Sequence, residues 1–350
     1  MAEPHTNGAP AARRPRRRRE LLFAIAFLLV TALLLHFAAA VLRPAQTSYG
    51  STWSAFLAEP EDSLDVIYLG SSFAYCDINP SIVYEHSGLT GYVMGGSEQP
   101  LSITYWYLRE ILRTQSPEAV VLEATSLYFK RYQNYTQTNI VPMPFSLNKL
   151  GAVFTAAEPE LRLGLLFDLY FYHGRWQELG RADVKKALFP HQWDEKKGFT
   201  PMNEVLEGVG EAPYVADRQV SVEDYANNLF WLEKLIGLCR EKGIRLILTV
   251  NPSYTRCTPE AYASLAEDVH AIEPSVEFYD WSAMFEEIGL VPTLHLYDGG
   301  HLNQDGAAVF SAWLGGFLTG ELGLTPRAQT AENTAAWQSC VAWWEDYLAQ

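Results

Sequence analysis

The chain has 350 residues, 48% of them hydrophobic and 19% charged, which is enough for one large domain with a real core. Its formal charge of −15 argues against nucleic-acid binding and against electrostatic adhesion to anionic surfaces. The four cysteines (Cys76, Cys239, Cys257 and Cys340) form no zinc or redox spacing; an extracytoplasmic disulfide is open to them, but a core this large does not need one.

The N-terminus divides sharply. Residues 1–20 form a basic tail with arginines at 13, 14 and 16–19, and residues 21–42 are almost continuously apolar. Such a run, at about 1.5 Å per helical residue, crosses a hydrocarbon core of roughly 30 Å. The alternative is a cleaved signal peptide, for which Ala38-Ala39-Ala40 offers small residues. An uncleaved anchor with arginines on the cytoplasmic side implies a single-pass cell-membrane protein whose C-terminal domain is extracytoplasmic. Residues 1–42 carry six Arg against Glu3 and Glu20, or +4, so the external part carries −19.

Residues 43–62 read as a juxtamembrane linker and 63–325 as an α/β domain. Strands are expected at Asp65–Leu69, Gly91–Met94, Ala119–Leu122, Ile244–Val250 and Val276–Tyr279. Helices are expected at Leu101–Thr114, Val222–Lys242 (stopped by Gly243), Pro259–Ala271 and Gln304–Leu318 (capped by Asn303). Residues from about 127 to 220 interrupt this rhythm, with possible helices at Glu158–Tyr172 and Arg181–Leu188. This insertion is either a lid over the carboxyl edge of the sheet or a peripheral subdomain. Residues 326–350 hold an amphipathic helix, Ala335–Leu348, whose tryptophans pack on the domain or dip into a membrane interface. The alternation implies a mostly parallel sheet in a three-layer α/β/α sandwich.

Two loops carry chemistry. The first strand runs into Gly70-Ser71-Ser72, and the last loop reads Asp298-Gly299-Gly300-His301. A serine hydroxyl needs a base to become a nucleophile, and that base needs a carboxylate to hold its tautomer. Ser72, His301 and Asp298 can fill these roles. Ser72 stands at a helix start, where backbone N–H groups favour an oxyanion, and Gly95 can bring a second N–H close. The bland readings are a turn serine and a loop histidine capping the last helix. His295 reads as structural or substrate-facing. Asn134-Tyr135-Thr136 is a glycosylation sequon to which no role is given. No Gly-x-Ser-x-Gly elbow, HExxH motif or Walker loop occurs.

On these residues the chain resembles the SGNH (GDSL-type) hydrolase superfamily. Within it, the chain looks like the membrane-anchored extracytoplasmic branch containing the D-alanyl transfer protein of teichoic acids and the alginate O-acetylation proteins. Gly70-Ser71-Ser72 matches the nucleophile block, Gly95 (with Gly96 as fallback) the second block, and Asp298-x-x-His301 the last, over about residues 64–130 and 220–320. The third block departs: Leu122-Glu123-Ala124-Thr125-Ser126 lacks the family's asparagine, leaving Thr125, or more remotely Asn251, as substitute donor. The resemblance implies a serine esterase or O-acyltransferase acting on acyl esters of a cell-envelope glycan or exopolysaccharide through an acyl-serine, without metal or organic cofactor. Expected partners are an acylated glycan or acyl-carrier substrate, the membrane and a membrane acyltransferase. Tyr128, Phe129, Tyr132 and Tyr135 are candidates for stacking on sugar rings. The alternative is a catalytically inactive module of the same fold that binds a glycan or such an acyltransferase.

Overall fold

The computed structural model describes residues 14–43, 53–130, 136–190, 193–210 and 220–348. The basic tail before Arg14, residues 44–52 of the expected linker, and Tyr132, Asn134 and Tyr135 lie outside the described residues. Two compact units are present: residues 1–45 with 167–189, and residues 46–166 with 190–350.

The larger unit is an α/β fold around a five-stranded, wholly parallel sheet of order β2-β1-β3-β4-β5. The strands are β1 Val66–Leu69, β2 Gly91–Val93, β3 Ala119–Glu123, β4 Arg245–Val250 and β5 Glu277–Asp280. Each lies within one or two residues of its expected position. The three central strands are buried almost throughout, as continuous apolar runs of a parallel sheet require. In-register pairing of Leu69 with Leu122, and of Leu122 with Leu248, aligns the carboxyl ends of β1, β3 and β4.

Local signals act as written. Gly243 takes the left-handed conformation (φ 69°) that closes the Val222–Lys242 helix. The Asn303 side chain accepts the Gly306 N–H and starts the Gln304–Gly320 helix. The C-terminal helix runs Ala331–Leu348, with Trp337 and Trp344 buried, so packing on the domain accounts for them. Trp53 and Phe56, inside the expected linker, are also buried and pack edge-on against Tyr107 and Tyr92; the domain therefore begins earlier than expected. All four cysteines are free and buried.

The insertion is not one body. Leu147–Ala156 packs on the Leu101–Ile111 helix. The expected helix Glu158–Tyr172 is broken into Arg162–Leu166 and Asp168–Tyr172. At the break Phe167 is extended (φ −127°, ψ 91°), and there the chain passes from one unit to the other. Residues Asp194–Phe199 run along the outer edge of β2, where the Val93 N–H donates to the Lys197 carbonyl at 2.9 Å. There Lys197 makes a wholly buried ion pair with Glu59 at 2.6 Å.

The smaller unit joins an apolar helix, Arg14–Leu42, to the short helices Asp168–Tyr172 and Arg181–Leu188. Residues Arg18–Leu42 are long and apolar enough to cross a membrane.

Candidate active site

The site is assembled at the carboxyl ends of the strands, where parallel sheets present their loops. At the end of β1, Gly70 adopts φ 146°, and a Cβ there would lie 2.8 Å from Glu123 Cβ, so the turn requires glycine. Ser71 then caps a single helical turn, Ser72–Tyr75, its hydroxyl accepting the Phe73 N–H at 3.4 Å. Ser72 is thus the first helical residue, partly exposed, while Ser71 is fully buried.

The second loop is a tight hairpin closed by the Leu296–Leu302 bridge and by the Tyr297 N–H on the His301 carbonyl at 2.9 Å. Asp298 Oδ1 accepts the backbone N–H groups of Gly300 (2.7 Å) and His301 (2.8 Å), a side-chain-to-backbone turn that fixes the loop. The same carboxylate meets His301 Nδ1 at 2.9 and 3.0 Å, and His301 Nε2 lies 2.7 Å from Ser72 Oγ. The structure therefore brings Ser72, His301 and Asp298 into one continuous hydrogen-bonded chain. Phe73 stacks on the imidazole (4.9 Å between centroids, 22°) and packs beside Gly300, leaving the ring little freedom to swing.

Burial of Asp298 opposes its charge, but the His301 hydrogen bond, the imidazole's charge and the two loop N–H groups outweigh it. The carboxyl is held below its ordinary range. An ionised Asp298 keeps the proton on Nδ1 and leaves Nε2 to face the serine as acceptor.

Two backbone N–H groups, those of Ser72 and Gly95, donate to no protein acceptor among the described residues. Gly95 sits against the nucleophile turn: a Cβ would stand 2.9 Å from the Gly70 carbonyl oxygen and 3.0 Å from that of Ser71. The fallback, Gly96, is already committed, its N–H donating to the Gly70 carbonyl at 3.3 Å. Its α-carbon is covered by Asn139 of the insertion, whose Nδ2 donates to the Ser97 carbonyl at 2.9 Å.

The two substitute donors turn out to be engaged elsewhere. The Thr125 N–H and hydroxyl both donate to the Glu123 carboxylate, at 3.0 and 2.5 Å. Asn251, at the end of β4, donates through Nδ2 to the Phe73 carbonyl at 2.7 Å and to Asp77 Oδ2 at 3.4 Å. Asp77 in turn accepts the Leu302 N–H at 3.0 Å. Asn251 and Asp77 therefore tie the turn carrying Ser72 to the loop carrying His301. Burial pushes the Asp77 carboxyl well above its ordinary range, although the Leu302 N–H works in the other direction. Sequence reasoning missed Asp77. Its only signal is an acid five residues beyond Ser72 in an otherwise apolar stretch, Phe73–Ile78.

His295 proves local: its Nδ1 accepts the Val291 N–H at 3.0 Å. Tyr128 stacks on Tyr225 and donates to the Ala261 carbonyl at 3.0 Å, so this ring already has a face covered. Beside the His301 hairpin, residues 202–210 form a strap joined by Leu206 N–H to the Leu296 carbonyl and Gln304 N–H to the Met202 carbonyl, each at 2.8 Å. An open cleft of about 760 Å³ lies against this strap, lined by Glu204, Leu206, Glu207, Val209 and Thr293. Among the described residues no group of three or more acidic, histidine or cysteine side chains is placed to hold a metal. The chain matches no protein-family model and no curated protein sequence.

Proposed function

We propose that this chain is a serine hydrolase or acyltransferase of the SGNH type, with the three-layer sandwich of that superfamily. In this reading it is anchored by its N-terminal helix and acts outside the cell on O-linked acyl groups of an envelope glycan or exopolysaccharide. The observation that carries the reading is the 2.7 Å approach of His301 Nε2 to Ser72 Oγ, with Asp298 on the far nitrogen. Residues 229 positions apart do not acquire that geometry through any local element.

In the proposed reaction Ser72 Oγ attacks the ester carbonyl carbon while His301 Nε2 takes its proton. The resulting oxyanion is held by the N–H groups of Ser72 and Gly95. Collapse breaks the bond to the alcohol oxygen, which leaves with the proton from His301, and the acyl group remains on Ser72. Water or a sugar hydroxyl, deprotonated by His301, then attacks the acyl-serine and releases the acid or the new ester. The partly exposed triad suits a polymer-borne ester, which must enter and leave along its length.

One observation favours the non-catalytic alternative, a module binding a glycan or a membrane acyltransferase: neither Thr125 nor Asn251 is free to serve as a third oxyanion donor. A fluorophosphonate probe applied to the full-length protein in detergent separates the readings. Labelling of wild type is expected, with none in Ser72→Ala and a loss of about 1,000-fold or more in rate in His301→Ala. Wild type that stays unlabelled from about pH 6 to 9, where a histidine base operates, would leave the binding module.

A further inference from the structure

We infer that Phe167–Phe189, together with the last turn of the N-terminal helix, forms a platform lying in the lipid–water interface of the bilayer the helix crosses. The inference rests on the anchor reading and is independent of any activity. Its first support is packing within the smaller unit. Asp168–Tyr172, the turn His173–Gln177 and Arg181–Leu188 all pack on the N-terminal helix. Apart from Thr31, the residues of that helix that are not exposed lie at its C-terminal end, Ala38–Leu42, with Val41 the most buried. Small side chains there let other backbones approach closely.

The second support is hydrogen bonding. Arg175 Nη1 donates to the Leu42 carbonyl at 2.5 Å, and Lys186 Nζ donates to the Arg43 carbonyl. These are carbonyls that a helix end leaves without internal partners, and cations there also suit the helix dipole. Arg175 is itself steadied by Asp183 at 3.3 Å.

Length then sets the depth. The span Arg18–Leu42 has 25 residues. At about 1.5 Å each it measures roughly 37 Å, against a hydrocarbon core of roughly 30 Å. Arg18, Arg19 and Glu20 lie at the opposite headgroup and take up about 4.5 Å of that surplus of about 7 Å, so the last two residues, Val41 and Leu42, and whatever packs on them stand at headgroup level.

The exposed chemistry fits that level. Phe167, Tyr170, Trp176, Leu188 and Phe189 are each 59–67% exposed, an unusual density of large apolar groups for a surface facing water. Aromatic rings concentrate at membrane interfaces, where one end meets hydrocarbon and the other water. Residues 167–189 also carry four basic against three acidic side chains, a net +1 within an external part of −19. Their exposed Arg181 and Lys185 would meet anionic headgroups rather than repel them.

The test is depth measurement on the full-length protein in phosphatidylcholine–phosphatidylglycerol vesicles. Single cysteines at Leu29→Cys, Trp176→Cys and Leu188→Cys would carry an environment-sensitive nitrobenzoxadiazole label; the four native cysteines are buried. The expected result is blue-shifted emission at all three sites. Residues 176 and 188 should be quenched most by lipids spin-labelled near the headgroup, and residue 29 by lipids labelled deep in the chain. If Leu29→Cys is quenched while either other site keeps aqueous emission, the inference fails and the anchor reading stands; a partner protein would then be the occupant of that surface. If Leu29→Cys is not quenched, the anchor reading fails and takes the inference with it.

Discussion

Gly95→Ala is the sharpest perturbation of the proposed oxyanion pocket. An added Cβ would lie 2.9 Å from the Gly70 oxygen and 3.0 Å from the Ser71 oxygen, where ordinary contact begins at 3.4 Å. The deficit is 0.5 and 0.4 Å, respectively, against main-chain atoms that cannot rotate away. Gly70 has little room of its own, since a Cβ there would lie 2.8 Å from Glu123 Cβ. The loop after β2 must therefore withdraw, carrying the Gly95 N–H with it by about 0.5 Å. An ideal donor–acceptor distance near 2.9 Å then becomes about 3.4 Å, outside the normal range. Complete loss of one oxyanion donor costs about 100- to 1,000-fold in rate, so partial loss with a displaced nucleophile turn should cost about 10- to 100-fold. Overpacking should also lower stability by about 1–3 kcal/mol. The assay is the second-order rate constant of fluorophosphonate labelling, with thermal unfolding followed in parallel. Gly316→Ala is the control: it is an exposed helical position with open space around it, and should label normally and unfold no earlier. Gly95→Ala labelling within about twofold of wild type, with unchanged unfolding, would refute both the packing argument and the donor assignment.

Two further outcomes test the electrostatics. Asp298 has its folded-state pKa below the ordinary 3.8, so its contribution to stability is fully present above that value and is lost as pH falls through the lower folded one. The difference in unfolding midpoint between wild type and Asp298→Asn should be constant above about pH 5 and shrink toward pH 3; a gap that widens on acidification contradicts the assignment. Lys197→Met would leave the buried Glu59 carboxylate without its cation and cost about 3–5 kcal/mol. Adding Glu59→Leu should restore most of that loss in denaturant unfolding. If the single variant unfolds like wild type, the pair is not the clamp its burial implies.

Much of the domain was legible because its signals are local. Continuous apolar runs such as Ala119–Leu122 in β3, and those of β1 and β4, suit strands covered on both faces of a parallel sheet. Gly243 and Asn303 terminate and start helices by their own stereochemistry. Ser72, Asp298 and His301 stood out because their residue types and order already suit nucleophilic chemistry. What one chain position does to another across the fold was not legible. The roles of Thr125 and Asn251 changed because Glu123 and Phe73 claimed their hydrogen bonds, and Asp77 became visible only when the Leu302 N–H arrived from 225 positions away. The insertion read as one segment since sequence order says nothing of packing partners; in the folded chain it divides at Phe167. Strand and helix identity follow from side chains and their immediate neighbours. Hydrogen-bond ownership and unit membership depend on distances that only the folded chain sets.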